Sequence, residues 1–144
     1  MNNIEPLLVV ENLKQHFKAS RKFTVKAVDG ISFKIYPGET YGLVGESGSG
    51  KSTTGRSIIR LYKPTSGNII FNGKNISGKM SNEELKILRT KMQMIFQDPM
   101  ACLNPRKKVL DIIGEGLDIH KMYSSKEERD EKVYSILEKV GLSR

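Results

Sequence analysis

Apolar and polar residues follow a two-residue period in parts of the first half of the chain and a helical period in much of the second half. Apolar runs at 7–10, 25–35 and 68–71 predict β-strands, and the second of them shows partial alternation. Two shorter runs, 40–44 and 92–96, are almost wholly apolar, which is typical of strands buried on both faces. The first half of the chain is therefore predicted to be rich in strands.

Helical periodicity and capping signals predict four helices. They cover residues 52–62, 81–89, 109–120 and 125–140. Ser81 and Ser125 each begin a Ser-x-x-Glu pattern, the signature of a helix N-terminus, and Gly141 can end the last helix. The order of elements is strands, then a strand–loop–helix unit, then a further strand, and finally helices alone. This order predicts an α/β fold with a helical extension.

The composition fits one globular domain of 144 residues, with 38% hydrophobic and 28% charged residues. No apolar run approaches the length of a membrane span, and the polar N-terminus does not have the layout of a signal peptide. A single cysteine, Cys102, excludes an internal disulfide. The net charge of +8 comes from dispersed lysines and arginines, which favours a solvated basic surface over a nucleic-acid partner.

The residues that follow the run 40–44 match the pattern G-x-x-x-x-G-K-[ST] in full. They are Gly45, Glu46, Ser47, Gly48, Ser49, Gly50, Lys51 and Ser52. Glycines let such a loop curl so that its N–H groups surround a polyphosphate, and the helix that follows adds its positive N-terminal end. Lys51 then supplies a charge for the β- and γ-phosphates, and the Ser52 hydroxyl is a ligand for Mg²⁺. The loop predicts nucleotide binding rather than a chance glycine-rich turn.

Two side chains outside this loop could contribute to a nucleotide site. Gln97 follows the run 92–96, and an amide at the end of a core strand can contact Mg²⁺ or an attacking water. Its spacing fits an ordinary loop glutamine equally well. Phe17 could stack on a purine, but the residues alone favour a core position for its ring. His16 and His120 are isolated in sequence, so neither is given a metal or catalytic role.

Several segments together resemble the ATP-binding subunits of ABC transporters. They are 28–33, 45–52, 64–67 and 95–99. The continuation 98–106 resembles the branch that imports oligopeptides and dipeptides, to which nickel importers are close relatives. This branch has two ATPase subunits, and the second of them is resembled by residues 50–56 and 91–94. The resemblance implies an α/β P-loop ATPase core with an N-terminal antiparallel β subdomain, up to about residue 97. The stretch from about 98 to 144 would then begin the helical subdomain.

The same resemblance implies roles for individual residues. Residues 45–53, which end at Thr53, correspond to the Walker A loop that holds ATP. Gln97 corresponds to the glutamine that contacts Mg²⁺ and couples the nucleotide site to the membrane subunit. Phe17 corresponds to the aromatic residue that stacks on adenine, and Ala27 flanks the base. The partners implied are a second ATPase subunit and two permease subunits, with the protein peripheral on the cytoplasmic face of the membrane.

The 144 residues do not include every motif of that family. They contain no L-S-G-G-Q-like signature, no run of apolar residues followed by Asp-Glu, and no switch histidine. Hydrolysis needs a group that orients the attacking water and a second hold on Mg²⁺. We therefore expect the N-terminal part of an ATPase, which binds ATP without hydrolysing it. The loop by itself leaves two alternatives, a stand-alone P-loop kinase or GTPase and a nucleotide-binding regulatory module.

Overall fold

The computed structural model describes residues 4–142 and divides them into two compact units, one that ends at Met94 and one that begins at Ile95. The first unit contains β1 (Leu8–Lys18), β2 (Thr24–Ile35), α1 (Lys51–Ile58), β3 (Ser66–Phe71), β4 (Lys74–Asn75) and α2 (Asn82–Lys91). The second contains a 3₁₀ turn (Met100–Cys102), α3 (Val109–His120) and α4 (Lys126–Lys139). These elements confirm three of the predicted strands and all four predicted helices, with shifted ends. Within residues 4–142, none of the helices combines the length and the apolar composition of a membrane span.

An antiparallel four-stranded sheet forms the centre of the first unit, with the strand order β2-β1-β3-β4. Val10 of β1 pairs with Phe33 on one side and with Ile69 on the other. The side chains of Leu13 and Ile69 are completely buried, and Val10 is nearly so. Leu88 of α2 belongs to the same hydrophobic cluster, so this helix covers the core that the strands provide.

A bulge bends β1 near Asn12, where its pairing with both neighbouring strands shifts. Asn12 has a φ of 46°, and its N–H donates a hydrogen bond to the Ser32 hydroxyl at 2.8 Å. Gly67, with a φ of 93°, lies so close to the Asn12 carbonyl that no Cβ would fit. Bulges change the direction of the residues that follow them. Further along β1, the buried Gln15 lies against α1, with its Oε1 3.5 Å from the hydroxyl of Ser57.

The predicted strands at 40–44 and 92–96 are wrong, because neither segment forms a strand. Val44 is 93% exposed and Ile95 is 94% exposed. A strand requires a neighbouring backbone for its hydrogen bonds, and within residues 4–142 none of the four strands pairs with either segment. Tyr41 instead stacks on Phe33, with the ring centroids 4.9 Å apart. The apolar composition of these two segments is suited to buried strands, but it could not indicate whether another strand is present to pair with them.

Helix α1 is shorter than predicted and ends at Ile58 rather than at residue 62. Arg60 adopts a left-handed conformation with a φ of 63°, which the helix cannot continue through. The N–H groups of Leu61 and Tyr62 both donate to the carbonyl of Arg56, at 2.9 and 3.2 Å. The chain therefore turns back against the end of α1 in a fixed conformation.

The N-terminus of α2 has the capping box that the sequence predicts. The Ser81 hydroxyl accepts the Glu84 N–H at 3.2 Å, and the Glu84 carboxylate accepts the Ser81 N–H at 2.9 Å. The ammonium of Lys74 in β4 lies 2.6 Å from the other carboxylate oxygen. Hydrogen bonds from Lys74 and Ser81 lower the pKa of the Glu84 carboxyl to about 2. The carboxylate therefore stays ionised in neutral solution and connects α2 to β4.

The side chain of Arg129, only 9% exposed, joins α3 to α4 in the second unit. Its guanidinium donates to both carboxylate oxygens of Asp118, at 2.6 and 2.8 Å, and to Asp130 at 2.9 Å. These bonds hold the pKa of the Asp118 carboxyl below its usual range. Gly114 leaves space on α3, because a Cβ there would collide with the Arg129 guanidinium. A two-point pair of this kind fixes orientation as well as distance, so it determines how the two helices pack.

Two glycines of α3 give a matched test of this packing. Gly114→Ala should lower the free energy of unfolding by roughly 1–3 kcal/mol, because the new methyl group displaces the Arg129 guanidinium. Gly116 has no atom within 4 Å of an added Cβ. Gly116→Ala should therefore raise the free energy of unfolding by about 0.5–1 kcal/mol through helix propensity alone. Urea titration followed by circular dichroism measures both values, and equal stability of the two variants would contradict the packing described.

Candidate functional site

The glycine-rich loop between residue 45 and α1 curls back on itself. Gly48 and Gly50 have φ angles of 81° and 92°, which glycine adopts without strain. The N–H of Ser49 donates to the carbonyl of Glu46 at 3.2 Å, which closes a tight turn within the loop. Gly50 is the N-cap of α1, and its carbonyl accepts the Thr54 N–H at 2.8 Å. The loop thus leads directly into the positive end of a helix.

Ala27 of β2 supports the loop from the side of the sheet. The backbone of Gly50 lies so close to the Ala27 carbonyl that any side chain at position 50 would collide with it. Val28 is buried next to this contact, so β2 cannot withdraw without opening the core. The sequence resemblance predicted that Ala27 lies near the nucleotide, and the structure brings it against the end of the glycine-rich loop.

The ammonium group of Lys51 lies inside the curl of the loop. It donates to the carbonyl oxygens of Gly45 and Glu46, each at 2.6 Å, and lies 3.4 Å from the Ser49 hydroxyl. Ser52, the second residue of α1, is exposed, and Thr53 is half-buried. A lysine in the first turn of a helix adds its charge to the positive helix N-terminus, and this combination favours an anionic ligand. The loop therefore brings together the predicted residues from Gly45 to Thr53.

A cavity of about 390 Å³ lies between β2 and this loop. It is lined by Lys26, Ala27, Val28, Asp29 and Ile31 on one side and by Leu43, Val44, Gly45, Ser49, Lys51 and Thr54 on the other. Its lining combines apolar side chains with the charged residues Lys26, Asp29 and Lys51, so the two lysines outnumber the one acid. Such a mixture suits an amphipathic anion better than a neutral apolar ligand.

Phe17 lies near the end of β1 and is not a core residue, because 36% of its surface is exposed. Its ring contacts Tyr62 in a T-shaped arrangement, with centroids 5.3 Å apart and an interplanar angle of 83°. Tyr62 was missed by the sequence analysis. Its only sequence signal was its position at the predicted end of the first helix, which gave no indication of a contact with β1.

A charged cluster on β1 and β2 was also missed. The carboxylate of Asp29 lies 3.0 Å from His16 Nε2, 3.3 Å from Lys26 Nζ and 3.9 Å from Lys14 Nζ. Hydrogen bonds from His16 and then Lys26 lower the pKa of the Asp29 carboxyl. His16 was given no role, but it lies in this cluster beside Phe17. Spacing could not predict the cluster, because its members lie on two strands and meet only through the sheet register.

Gln97 belongs to the second unit, where it occupies an exposed bend three residues before the 3₁₀ turn. The loop residues, Phe17 and Ala27 all belong to the first unit. A role for Gln97 at a bound Mg²⁺ therefore stays a prediction that rests on the sequence resemblance.

Known proteins share both the sequence and the fold of this chain. The family model described as ABC transporter matches residues 28–144. The oligopeptide transport ATP-binding protein OppF of Bacillus subtilis is 61% identical over 140 residues, which are 97% of this chain and 46% of that protein. The dipeptide transport ATP-binding protein DppF of Lactococcus lactis is 48% identical over 143 residues, 96% of this chain and 46% of that protein. The chain spans about half the length of the curated relatives it matches.

Solved structures with the same fold include ATP-binding cassettes. The dimeric, post-hydrolysis structure of the cassette MJ0796 bound to ADP and Pi has a TM-score of 0.79 and 27% identity, and the match covers 91% of this chain and 56% of that one. CbiO1 of Clostridium perfringens, part of the ABC transporter complex cbiONQ, has a TM-score of 0.71 and 29% identity, covering 96% of this chain and 51% of that one. These likenesses confirm the predicted α/β P-loop ATPase fold.

The contact between the loop and β2 can be tested with two glycines of similar backbone conformation. Gly48 and Gly50 both have a positive φ, but an added Cβ meets no atom within 4 Å at Gly48 and the Ala27 carbonyl at Gly50. Gly48→Ala should cost only the left-handed conformation, about 1–2 kcal/mol. Gly50→Ala should cost roughly 1–3 kcal/mol more, because the loop must also move away from β2. Urea unfolding compares the two variants, and a smaller loss for Gly50→Ala would be inconsistent with this contact.

Proposed function

The chain belongs to the ABC transporter family, and from this membership we propose that it forms the nucleotide-binding part of an ATPase subunit that powers peptide import. The observation that carries the proposal is the ammonium of Lys51, held between the Gly45 and Glu46 carbonyls at the start of α1. The curated relatives named as oligopeptide or dipeptide transport ATP-binding proteins support the choice of cargo. Family membership also argues against a stand-alone P-loop kinase or GTPase.

The loop residues fit the triphosphate of ATP. The backbone of Gly45–Thr53 would surround the phosphates, and Lys51 would exchange its loop carbonyls for the β- and γ-phosphate oxygens. Mg²⁺, when bound, neutralises charge on those phosphates. The hydroxyl of Ser52, which is exposed in the first turn of α1, would be one ligand of the ion, and the Gln97 amide oxygen would be another. Phe17 would stack on adenine, a role supported by its exposed ring, with Ala27 beside the base.

The whole subunit would work with other chains. We propose that its partners are a second ATPase subunit and two permease subunits. The protein itself would be the second of the two ATPase types and would lie peripherally on the cytoplasmic face of the membrane. The likeness to a cassette solved as a dimer supports pairing with another ATPase subunit. Residues from about 98 onward would begin the helical subdomain, after a P-loop core that runs to about 97.

Replacement of the loop lysine tests the phosphate site. Lys51→Ala should weaken ATP binding by about 1.5–3 kcal/mol, the value of a hydrogen bond to a charged group. Lys79→Ala is the matched control, because it removes the same charge from an exposed position outside the loop. Isothermal titration calorimetry with MgATP gives both affinities. Equal affinities for Lys51→Ala and Lys79→Ala would exclude the proposed role of Lys51.

Turnover tests a second part of the proposal. We expect the polypeptide of these 144 residues to bind ATP without hydrolysing it, because they include no carboxylate pair of the kind that holds Mg²⁺ and orients water in this reaction. Release of inorganic phosphate should stay at the background rate at saturating MgATP. A steady release that scales with protein and disappears in Lys51→Ala would contradict this expectation. A nucleotide-binding regulatory module would also bind ATP without hydrolysing it. Such a module differs from the proposed subunit because it would not need a permease partner.

A further inference from the structure

We infer that Tyr62 is a positioning residue for Phe17, and that it holds the Phe17 ring in the orientation in which a purine base stacks on it. The inference rests on the proposed function, because it assumes that Phe17 contacts the base. Its starting observation is the T-shaped contact of the two rings, with centroids 5.3 Å apart and planes at 83°. A perpendicular neighbour covers at most one face of the Phe17 ring, so a base can stack on the other face.

Tyr62 is well placed to orient another ring because its own backbone is fixed. Its N–H donates to the Arg56 carbonyl at the end of α1, at 3.2 Å. Two residues earlier, the guanidinium of Arg60 donates to the carbonyls of Ser77 and Gly78, at 3.0 and 2.8 Å. The buried Pro64 follows two residues later. The segment that carries Tyr62 is therefore attached to α1 at one point and to the loop after β4 at another.

The strand that carries Phe17 is fastened to the same segment. The N–H of His16 donates to the Thr65 hydroxyl at 2.9 Å, and the N–H of Thr65 donates to the Lys14 carbonyl at 2.9 Å. The backbone next to Phe17 is thus fixed, while its ring remains 36% exposed. The freedom that remains is mainly rotation of the side chain, and contact with the Tyr62 ring restricts this rotation.

This arrangement gives α1 two roles in one site. The helix begins at Lys51, in the phosphate-binding loop, and the turn that follows its end presents Tyr62 to Phe17. The eight helical residues have a length of roughly 12 Å. One rigid element therefore relates the position of the phosphates to the orientation of the ring that receives the base. Preorganisation of this kind raises affinity by removing the cost of ordering a side chain during binding.

The experiment compares two ligands that share the phosphate chain but differ in the base. MgATP and magnesium tripolyphosphate are titrated calorimetrically into the 144-residue protein and into Tyr62→Ala, Tyr62→Leu, Tyr62→Phe and Phe17→Ala variants. Tyr62→Ala and Tyr62→Leu should weaken ATP binding by roughly three- to tenfold and leave tripolyphosphate binding unchanged, because only the base contact depends on the ring. Tyr62→Phe keeps the ring and should restore the original ATP affinity. Tyr62→Leu retains apolar volume, so the test stays decisive if Tyr62→Ala folds poorly.

A double variant separates this inference from the proposal on which it rests. If Tyr62 acts through Phe17, then Phe17→Ala with Tyr62→Ala should weaken ATP binding no more than Phe17→Ala does alone. Additive losses, or an equal loss of both ligands in Tyr62→Leu, would overturn the inference while leaving the base site of Phe17 intact. An unchanged ATP affinity in Phe17→Ala would instead overturn the base site itself, and the role of Tyr62 with it.

Discussion

The close approach of the Gly50 backbone to the carbonyl of Ala27 determines where the glycine-rich loop lies on the sheet. Because Gly50 is also the N-cap of α1, this contact fixes the start of the helix and the position of Lys51. Further along α1, the hydroxyl of Ser57 contacts the buried Gln15 of β1. The loop and α1 are therefore fixed to both long strands. The Gly50 backbone contacts β2 at the start of the helix, and Ser57 contacts β1 near its end.

The polar contacts of α1 are as important as its apolar packing. The Ser57 hydroxyl, which is fully buried, lies 2.8 Å from the Thr53 carbonyl and 3.5 Å from the Gln15 side chain. The bond to Thr53 lies within α1, whereas the contact with Gln15 connects the helix to β1. Because a buried polar group without a partner is costly, the contact with Gln15 restricts how α1 can rotate on the sheet. An apolar contact surface would tolerate several orientations of the helix. Because Gly50 of the glycine-rich loop is the N-cap of α1, the same restriction sets the orientation of the loop.

Features that depend on neighbouring residues were predictable from the sequence, and features that depend on distant ones were not. The capping box of α2 needs only Ser81 and Glu84, and the curl of the loop needs only its own glycines. The segments 40–44 and 92–96 failed as strands because a ladder depends on a second backbone elsewhere in the chain. The Asp29 cluster and the contact of Phe17 with Tyr62 depend on sheet register and on the turn after α1. Family resemblance, rather than residue pattern, raised Phe17 above a core position.

The two units differ in how far apart in the chain their contacting residues are. Glu11 and Asn68, neighbours in the pairing of β1 with β3, are separated by 57 positions, whereas Arg129 and Asp118 are separated by 11. Closing a longer loop costs more chain entropy before any contact is gained. The helical hairpin can therefore form early from a short stretch of chain. The sheet, and with it the glycine-rich loop that rests on β2, forms only when β3 has returned to pair with β1 across the longer stretch of chain. The conformation of the loop is therefore expected to become fixed more slowly than the helical hairpin.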